Sequence, residues 1–334
     1  MQFGVFDHMD SAEIDIGQQY RDRLRLAETY DKSGFYAYHL AEHHGTPLGL
    51  APSPSVFLAA LSERTQRLRF GPMVYTLSIY HPLRALEEIC MLDQLSGGRL
   101  ELGMGRGISP IEMGFFDVGE EAKSIYEEVS EIVLQSLGRD CVNFEGKHFN
   151  FDNTPVVMTP VQTPHPPLWY GVADAQRAEW TAERKMNIVT NGLASVVRGV
   201  TDRYKEAWSR ADHQNESLPK IGMSRHIVIA DTDAEAQKWA GPAYEKWFES
   251  LLLLWRANNI QIPISFPDNL NDAMAEGHCV VGSIDTIREH IAEEIEASGI
   301  NYLLCRLAFG TLPVELSLQS AAYLQDEIIP SYCA

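Results

Sequence analysis

Short β-rich runs alternate with longer helical patterns along most of this 334-residue chain, and that alternation restricts the fold more than any other feature. Gln2–Phe6 reads as a first strand, and the segment from Ile16 to Ser33 spaces its apolar residues for a helix that Gly34 stops. Further strands are predicted at Phe35–Ala41, Leu68–Val74, Arg99–Met104, Leu168–Gly171, Asn187–Thr190, Ile221–Ala230 and Tyr302–Leu307. Helices are predicted at Pro54–Arg64, Pro82–Leu95, Glu120–Leu137, Asp174–Arg184, Ser195–Ala211, Asp233–Trp255, Ile284–Ala297 and near Pro313–Ile329. Strands joined by crossover helices give a parallel sheet with right-handed connections, and about eight such units favour closure into a (β/α)8 barrel. A doubly wound open sheet is the competitor. It normally carries a glycine-rich turn after its first strand, where this chain continues as FDHMDSAE. Two stretches depart from the alternation: 141–167, rich in proline and turn signals and read as an excursion with a small hairpin, and 256–279, a patternless segment long enough to serve as a mobile lid. The expectation is one barrel domain over 1–334 with these two insertions.

Charge limits the partners. With 27 Lys+Arg against 46 Asp+Glu the formal net charge is −19, and no Lys/Arg-rich run makes a basic stripe against it. Such a field repels phosphate backbones and anionic membranes, so neither nucleic acid nor a membrane surface is expected as a partner. Cys90, Cys141, Cys279, Cys305 and Cys333 are odd in number and contain no CxxC pair, which fits reduced thiols in a cytoplasm. The start MQFGVFDHMD is acidic where a signal peptide is basic, and apolar runs such as Leu251 to Trp255 are too short to span a bilayer.

Four segments carry candidate chemistry. His39-Leu40-Ala41-Glu42-His43 matches a zinc pattern by letter, but that pattern requires a helix; on a strand, residues four apart are separated by roughly 13 Å. No metal site is expected. Glu42-His43-His44-Gly45 instead ends the second strand, at the rim where barrel enzymes place reactive groups; two solvated loop histidines are the bland alternative. His81 follows the third strand and is either a rim residue or a helix-entry residue. Ser96 to Gly107 (SGGRLELGMGRG) puts glycines at a strand end, where missing side chains let a flat ring or phosphate approach and Arg106 can supply charge. It fails as a dinucleotide fingerprint, since a third glycine is absent and Ser109-Pro110 does not open a helix in the right register. Gly171 to Arg177 joins a strand to a helix N-terminus, a ready phosphate site to which Arg177 could add a clamp, while Asp174 could simply be the cap.

Taken together, the opening strand, Gly34 to Gly45, His81 to Glu88, Leu92 to Gly107 and Ala178 to Trp180 resemble, in order and spacing, the bacterial luciferase-like flavin monooxygenases. The resemblance is dense over about the first 110 residues and recognisable to about residue 190. It implies a luciferase-like (β/α)8 barrel, reduced FMN as a diffusible co-substrate from a separate NAD(P)H:flavin reductase, and insertion of one oxygen atom through a flavin hydroperoxide. It further implies His43 as catalytic residue with Glu42 and His44 beside it, and a homodimer formed through Pro54–Arg64 and Pro82–Leu95. For the cofactor it implies Arg106 and the turn Ala175, Gln176 and Arg177 at the phosphate, a non-prolyl cis peptide at Met73-Val74 beneath the ring, and Gly105 and His81 nearby. Gly105 replaces a cysteine of the luciferases proper, and Gly45 a phenylalanine, which argues against a long-chain aldehyde and light emission. The expected function is oxygenation of a small, mostly apolar organic substrate. A deazaflavin-dependent oxidoreductase of the same fold and a non-catalytic flavin-binding protein are the alternatives.

Overall fold

In this computed structural model, which describes residues 1–211, 213, 216–263 and 266–332, strands and helices follow the expected alternation. The first half runs β1 (Gln2–Asp7), α1 (Ile16–Lys32), β2 (Ala37–Leu40), α2 (Pro54–Arg64), β3 (Arg69–Pro72), β4 (Tyr75–Thr76), α3 (Pro82–Ser96), β5 (Leu102–Gly105), α4 (Pro110–Phe115), α5 (Ala122–Ser136), β6 (Cys141–Glu145) and β7 (Asn150–Pro155). The second runs β8 (Leu168–Gly171), α6 (Ala175–Glu183), β9 (Asn187–Thr190), α7 (Ala194–Arg210), β10 (Ile221–Ile229), α8 (Asp233–Ala257), α9 (Leu270–Ala275), β11 (Cys279–Gly282), α10 (Ile284–Ser298), β12 (Tyr302–Arg306) and α11 (Val314–Tyr323). Local chemistry sets many boundaries. Asp15 caps α1 by accepting the Gln18 N–H at 2.8 Å. Helix α3 is entered through Pro82 and left through Gly97, whose φ of 64° favours glycine.

Parallel pairing runs in the order β3-β2-β1-β12-β10-β9-β8-β5. A bridge between Phe70 and Leu100 closes the ring: the Phe70 N–H donates to the Arg99 carbonyl at 3.1 Å and the Glu101 N–H to the Phe70 carbonyl at 2.8 Å. The chain is therefore a barrel of eight strands, and the open sheet is ruled out. Short β4 extends the edge of β5, and β11 pairs beside the second half of β10, from His226↔Cys279 to Ile229↔Gly282, making ten strands in the sheet.

Four elements were not expected: β4, α4, α9 and β11. Each is six residues or fewer, too short for a period to show. Ser109-Pro110 does open a helix, α4. The excursion at 141–167 contains the expected hairpin, β6 against β7. The segment 256–279 is less irregular than its sequence suggests, since it takes in the end of α8 and the whole of α9; Ile264 and Ser265 within it lie outside the described residues, as does Cys333. Cys90, Cys279 and Cys305 are buried free thiols. Among the described residues, no helix is long and apolar enough to cross a membrane.

The N-terminal end of the barrel is plugged. Buried Glu101 accepts hydrogen bonds from the Tyr36 hydroxyl at 2.7 Å, the Arg69 guanidinium and the Trp169 indole. His39 points into the same interior, its Nε2 2.9 Å from the Tyr302 hydroxyl, and burial pushes its pKa down to about 3. His39 and His43 thus face different surroundings, and chemistry is left to the opposite, C-terminal rim.

Candidate active site

The loop after β2 is fixed by one carboxylate. Glu112, on α4, accepts the His44 backbone N–H through Oε2 at 2.8 Å and pairs its Oε1 with Nδ1 of His43 at 3.2 Å. Helix α4 is itself capped by Ser109, whose hydroxyl accepts the Glu112 N–H at 3.2 Å. With a carboxylate at Nδ1, that nitrogen carries the His43 ring proton and Nε2 is left as an acceptor. Gly49 lies against the back of the loop: a Cβ there would meet the His43 Cβ at 2.7 Å, so a side chain would push His43 forward.

His44 turns away from His43. Its Nε2 lies 2.9 Å from Oε1 of Glu42, whose Oε2 accepts the Thr76 N–H at 2.9 Å. The Glu42–His44 pair is a buried tie between the ends of β2 and β4, braced by Phe116 edge-on at 4.7 Å. It anchors the loop and does not line the cavity beside His43.

That cavity, of about 140 Å3, is lined by His8, His43, Glu112, Trp247, Leu251 and Arg306 among others. His8 and His43 have ring centroids 5.8 Å apart. The Trp247 indole N–H reaches Nδ1 of His8 at 3.2 Å, which leaves the His8 proton on Nε2. Burial first, then the Arg306 charge, holds the His8 pKa well below its usual value, so the ring is neutral. Two imidazoles of complementary character, one acceptor and one donor, share this cavity.

The residues expected at a cofactor gather on neighbouring strands. The Met73-Val74 peptide is cis. A Cβ on Gly105 would stand 2.3 Å from Val74 Cγ2, so glycine is what lets β5 pass this peptide. Arg106 is exposed at the end of β5, its carbonyl accepting the Ser78 hydroxyl at 2.6 Å. On β8, which pairs with β5, Asp174 caps α6 by accepting the Arg177 N–H at 2.8 Å. Ala175, Gln176 and Arg177 are exposed in the first turn, where helix N–H groups have no intrahelical partner. Two guanidiniums and a helix N-terminus after adjacent strands, beside the cis Met73-Val74 peptide, fit a phosphate-bearing planar cofactor such as FMN. His81 is not brought into this group. It is exposed and stands edge-on to Phe149 at 5.6 Å and Phe151 at 6.0 Å, against the hairpin.

Four cavity residues escaped the sequence reading: His8, Glu112, Trp247 and Arg306. Ser109-x-x-Glu112 has capping-box spacing, which would have flagged α4, although the glutamate side chain is diverted to His43 and His44. His8 and Arg306 stand at the ends of strands that were recognised, where the rim argument used for His43 applies equally. Trp247 sits within a helix and gave no signal.

The family model for luciferase-like monooxygenases matches residues 1–302, and the chain belongs to that family, in which its relatives include flavin-dependent monooxygenases. It is 41% identical to the uncharacterized protein y4wF of Sinorhizobium fredii, over 98% of this chain and 96% of that one. It is 27% identical to the oxygenase component of the flavin-dependent trigonelline monooxygenase of Acinetobacter baylyi, covering 71% of this chain and 67% of its relative. Its fold matches the oxygenating constituent of 3,6-diketocamphane monooxygenase from Pseudomonas putida, solved with FMN, with a TM-score of 0.84, 21% identity and coverage of 99% and 98%.

Proposed function

We propose that this chain is the oxygenase component of a two-component system, taking reduced FMN from a separate NAD(P)H:flavin reductase and using O2 to oxygenate a small, mostly apolar organic substrate. The observation that carries the reading is His43, oriented by Glu112 and facing an enclosed cavity walled by Trp247, Leu251 and Trp255. FMN would be held by Arg106, Arg177 and the first-turn amides of Ala175 and Gln176 at its phosphate, with Met73, Val74 and Gly105 beneath its ring. Reduced FMN, when bound, supplies the electrons that activate O2. The chain's own residues do the rest: the apolar wall excludes water, His43 Nε2 accepts and returns a proton, and His8 Nε2–H donates to an oxygen in the cavity. Glu42 and His44 hold the loop in place. FMN rather than a deazaflavin is supported by the relative named as a flavin-dependent oxygenase component and by the FMN complex of the similar fold. Exposed Val56, Met91 and Leu95 on α2 and α3 support a homodimer through those helices. The buried free thiols favour a cytoplasmic setting. The test is oxygen consumption with FMN and NADH, with and without an added flavin reductase, together with fluorescence titration against FMN and a deazaflavin. Reductase-dependent, substrate-dependent consumption is expected. Rapid NADH oxidation with FMN alone, or binding of the deazaflavin and not of FMN, overturns the reading.

A further inference from the structure

Arg306 is a buried cation that no carboxylate among the described residues pairs with. It closes β12 and is 4% exposed, yet among the described residues it forms no ion pair and its Nε has no hydrogen-bond partner. Its guanidinium carbon lies 5.0 Å from the Phe6 ring centre, 5.5 Å from Trp247 and 6.0 Å from Phe266. Aromatic faces attract a cation but accept none of its in-plane hydrogen bonds. Asp10 is the nearby acid: its Oδ2 accepts the Gly310 N–H at 2.6 Å, its Oδ1 has no hydrogen-bond partner, and burial raises its pKa to about 7, so it makes no ion pair with Arg306. Arg225 is paired with Glu294 at 2.6 Å. Its other titratable neighbours are neutral: burial lowers His8, His226 and His278, with the Arg306 charge contributing, and burial raises Cys279 and Tyr244. A chain of net charge −19 therefore keeps a positive, enclosed spot in its cavity.

A buried charge left unpaired is costly and calls for an explanation that stability does not supply. The phosphate side of the rim cannot be its partner: β12 stands four strands from β5 either way round the ring of eight. The cavity that Arg306 and His43 share is lined mainly by apolar side chains, among them Trp247, Leu251, Trp255 and Phe266, with His8, Thr46, Glu112 and Asn191 as its other polar members.

We propose that Arg306 pairs with the carboxylate of the substrate, so that the substrate is a small organic acid whose apolar body lies along Trp247, Leu251 and Trp255. The guanidinium fork matches a carboxylate in two parallel hydrogen bonds, which fixes both position and orientation. The apolar body then carries the reacting carbon toward His43. This assignment deepens the oxygenase reading and rests on it. The test is calorimetric titration of the FMN-loaded protein with benzoate and hexanoate, set against benzamide and hexanamide. In the wild type the acids bind about tenfold or more tighter than the amides, the range expected for a charge-assisted pair. Arg306→Met removes that preference without changing amide affinity, and Arg306→Lys keeps part of it. Equal binding of acids and amides by the wild type overturns the proposal, as does a preference that survives in Arg306→Met. A loss of FMN affinity in Arg306→Met with the acid preference intact also overturns it and assigns Arg306 to the cofactor. The underlying reading fails separately: acid binding without reductase-dependent oxygen consumption on any acid sinks the oxygenase and leaves the carboxylate site standing.

Discussion

Replacing Arg306 with methionine is expected to stabilise the fold. Burial brings the guanidinium down from its ordinary value to about 10, which corresponds to about 3 kcal/mol of penalty for holding the charge there. The sign follows from linkage. A base whose folded pKa lies below its unfolded value carries its full penalty at every pH below about 10, and the penalty is relieved only as pH rises from there toward the ordinary guanidinium value. At neutral pH the full penalty is present. Methionine keeps most of the stem volume but forfeits the attraction of the Phe6 and Trp247 rings, which returns about 1–2 kcal/mol. The net expectation is a gain of about 1–2 kcal/mol. Urea unfolding at pH 7.5 would show it as a higher midpoint at unchanged slope. The wild type should recover the difference in saturating benzoate, since a ligand at about 100 times its Kd adds about 2.7 kcal/mol, whereas the variant, binding benzoate about tenfold more weakly, should gain only about 1.4 kcal/mol at the same concentration. An Arg306→Met protein that is less stable by 1 kcal/mol or more would refute the reasoning and make Arg306 a structural residue.

Three further outcomes are expected. Glu112→Gln should lose product per reduced flavin while FMN affinity stays within a few-fold; nitrogen NMR of His43 should show the Nδ1–H tautomer giving way to a mixture, and an unchanged tautomer would remove Glu112 from its orienting role. Arg106→Ala should weaken FMN binding about tenfold or more by fluorescence titration, as loss of one charge-assisted contact predicts; wild-type affinity would take Arg106 out of the phosphate site. Asp10, raised by burial to about 7 from 3.8, holds its proton more tightly when folded, so it destabilises progressively as pH rises from about 4 to 7. Asp10→Asn should remove that slope, and urea midpoints at pH 4.5 and 8 falling in parallel with the wild type would contradict it.

The barrel was legible because its signals are local. Proline at Pro82, Gly34 after α1 and the apolar periods between them each lie within one element, and summed along the chain they leave little choice of topology. The active-site loop was legible for a related reason, since the end of a barrel strand marks itself. What the sequence hides is partnership across distance. His43 and Glu112 are 69 residues apart, and adjacency in sequence offered only Glu42 and His44 beside it. On the extended backbone there, neighbouring side chains diverge, so His44 finds Glu42 two residues away. His81 shows the same limit from the other side. The 3-10 turn Leu77–Ile79 intervenes between β4 and α3, and it delivers the histidine to Phe149 and Phe151 of the hairpin.

The order of strands in the ring also orders the proposed chemistry. Going round through β8, β5, β3, β2, β1 and β12, one meets in turn Arg177, Arg106, the Met73-Val74 peptide, His43, His8 and Arg306. A planar cofactor whose phosphate sits over β8 and β5 extends its ring toward β3, and so ends beside β2. A substrate whose acid is held at β12 reaches back past β1 toward the same place. In the proposed arrangement the two anionic groups would lie on opposite sides, where their mutual repulsion is least, and the reacting ends would converge on the strand between them. His43 leaves that strand. A side chain of its reach on β9 or β10 could not stand between the two ends, which is why the position of one histidine, legible at the end of the second strand, carries so much of the site.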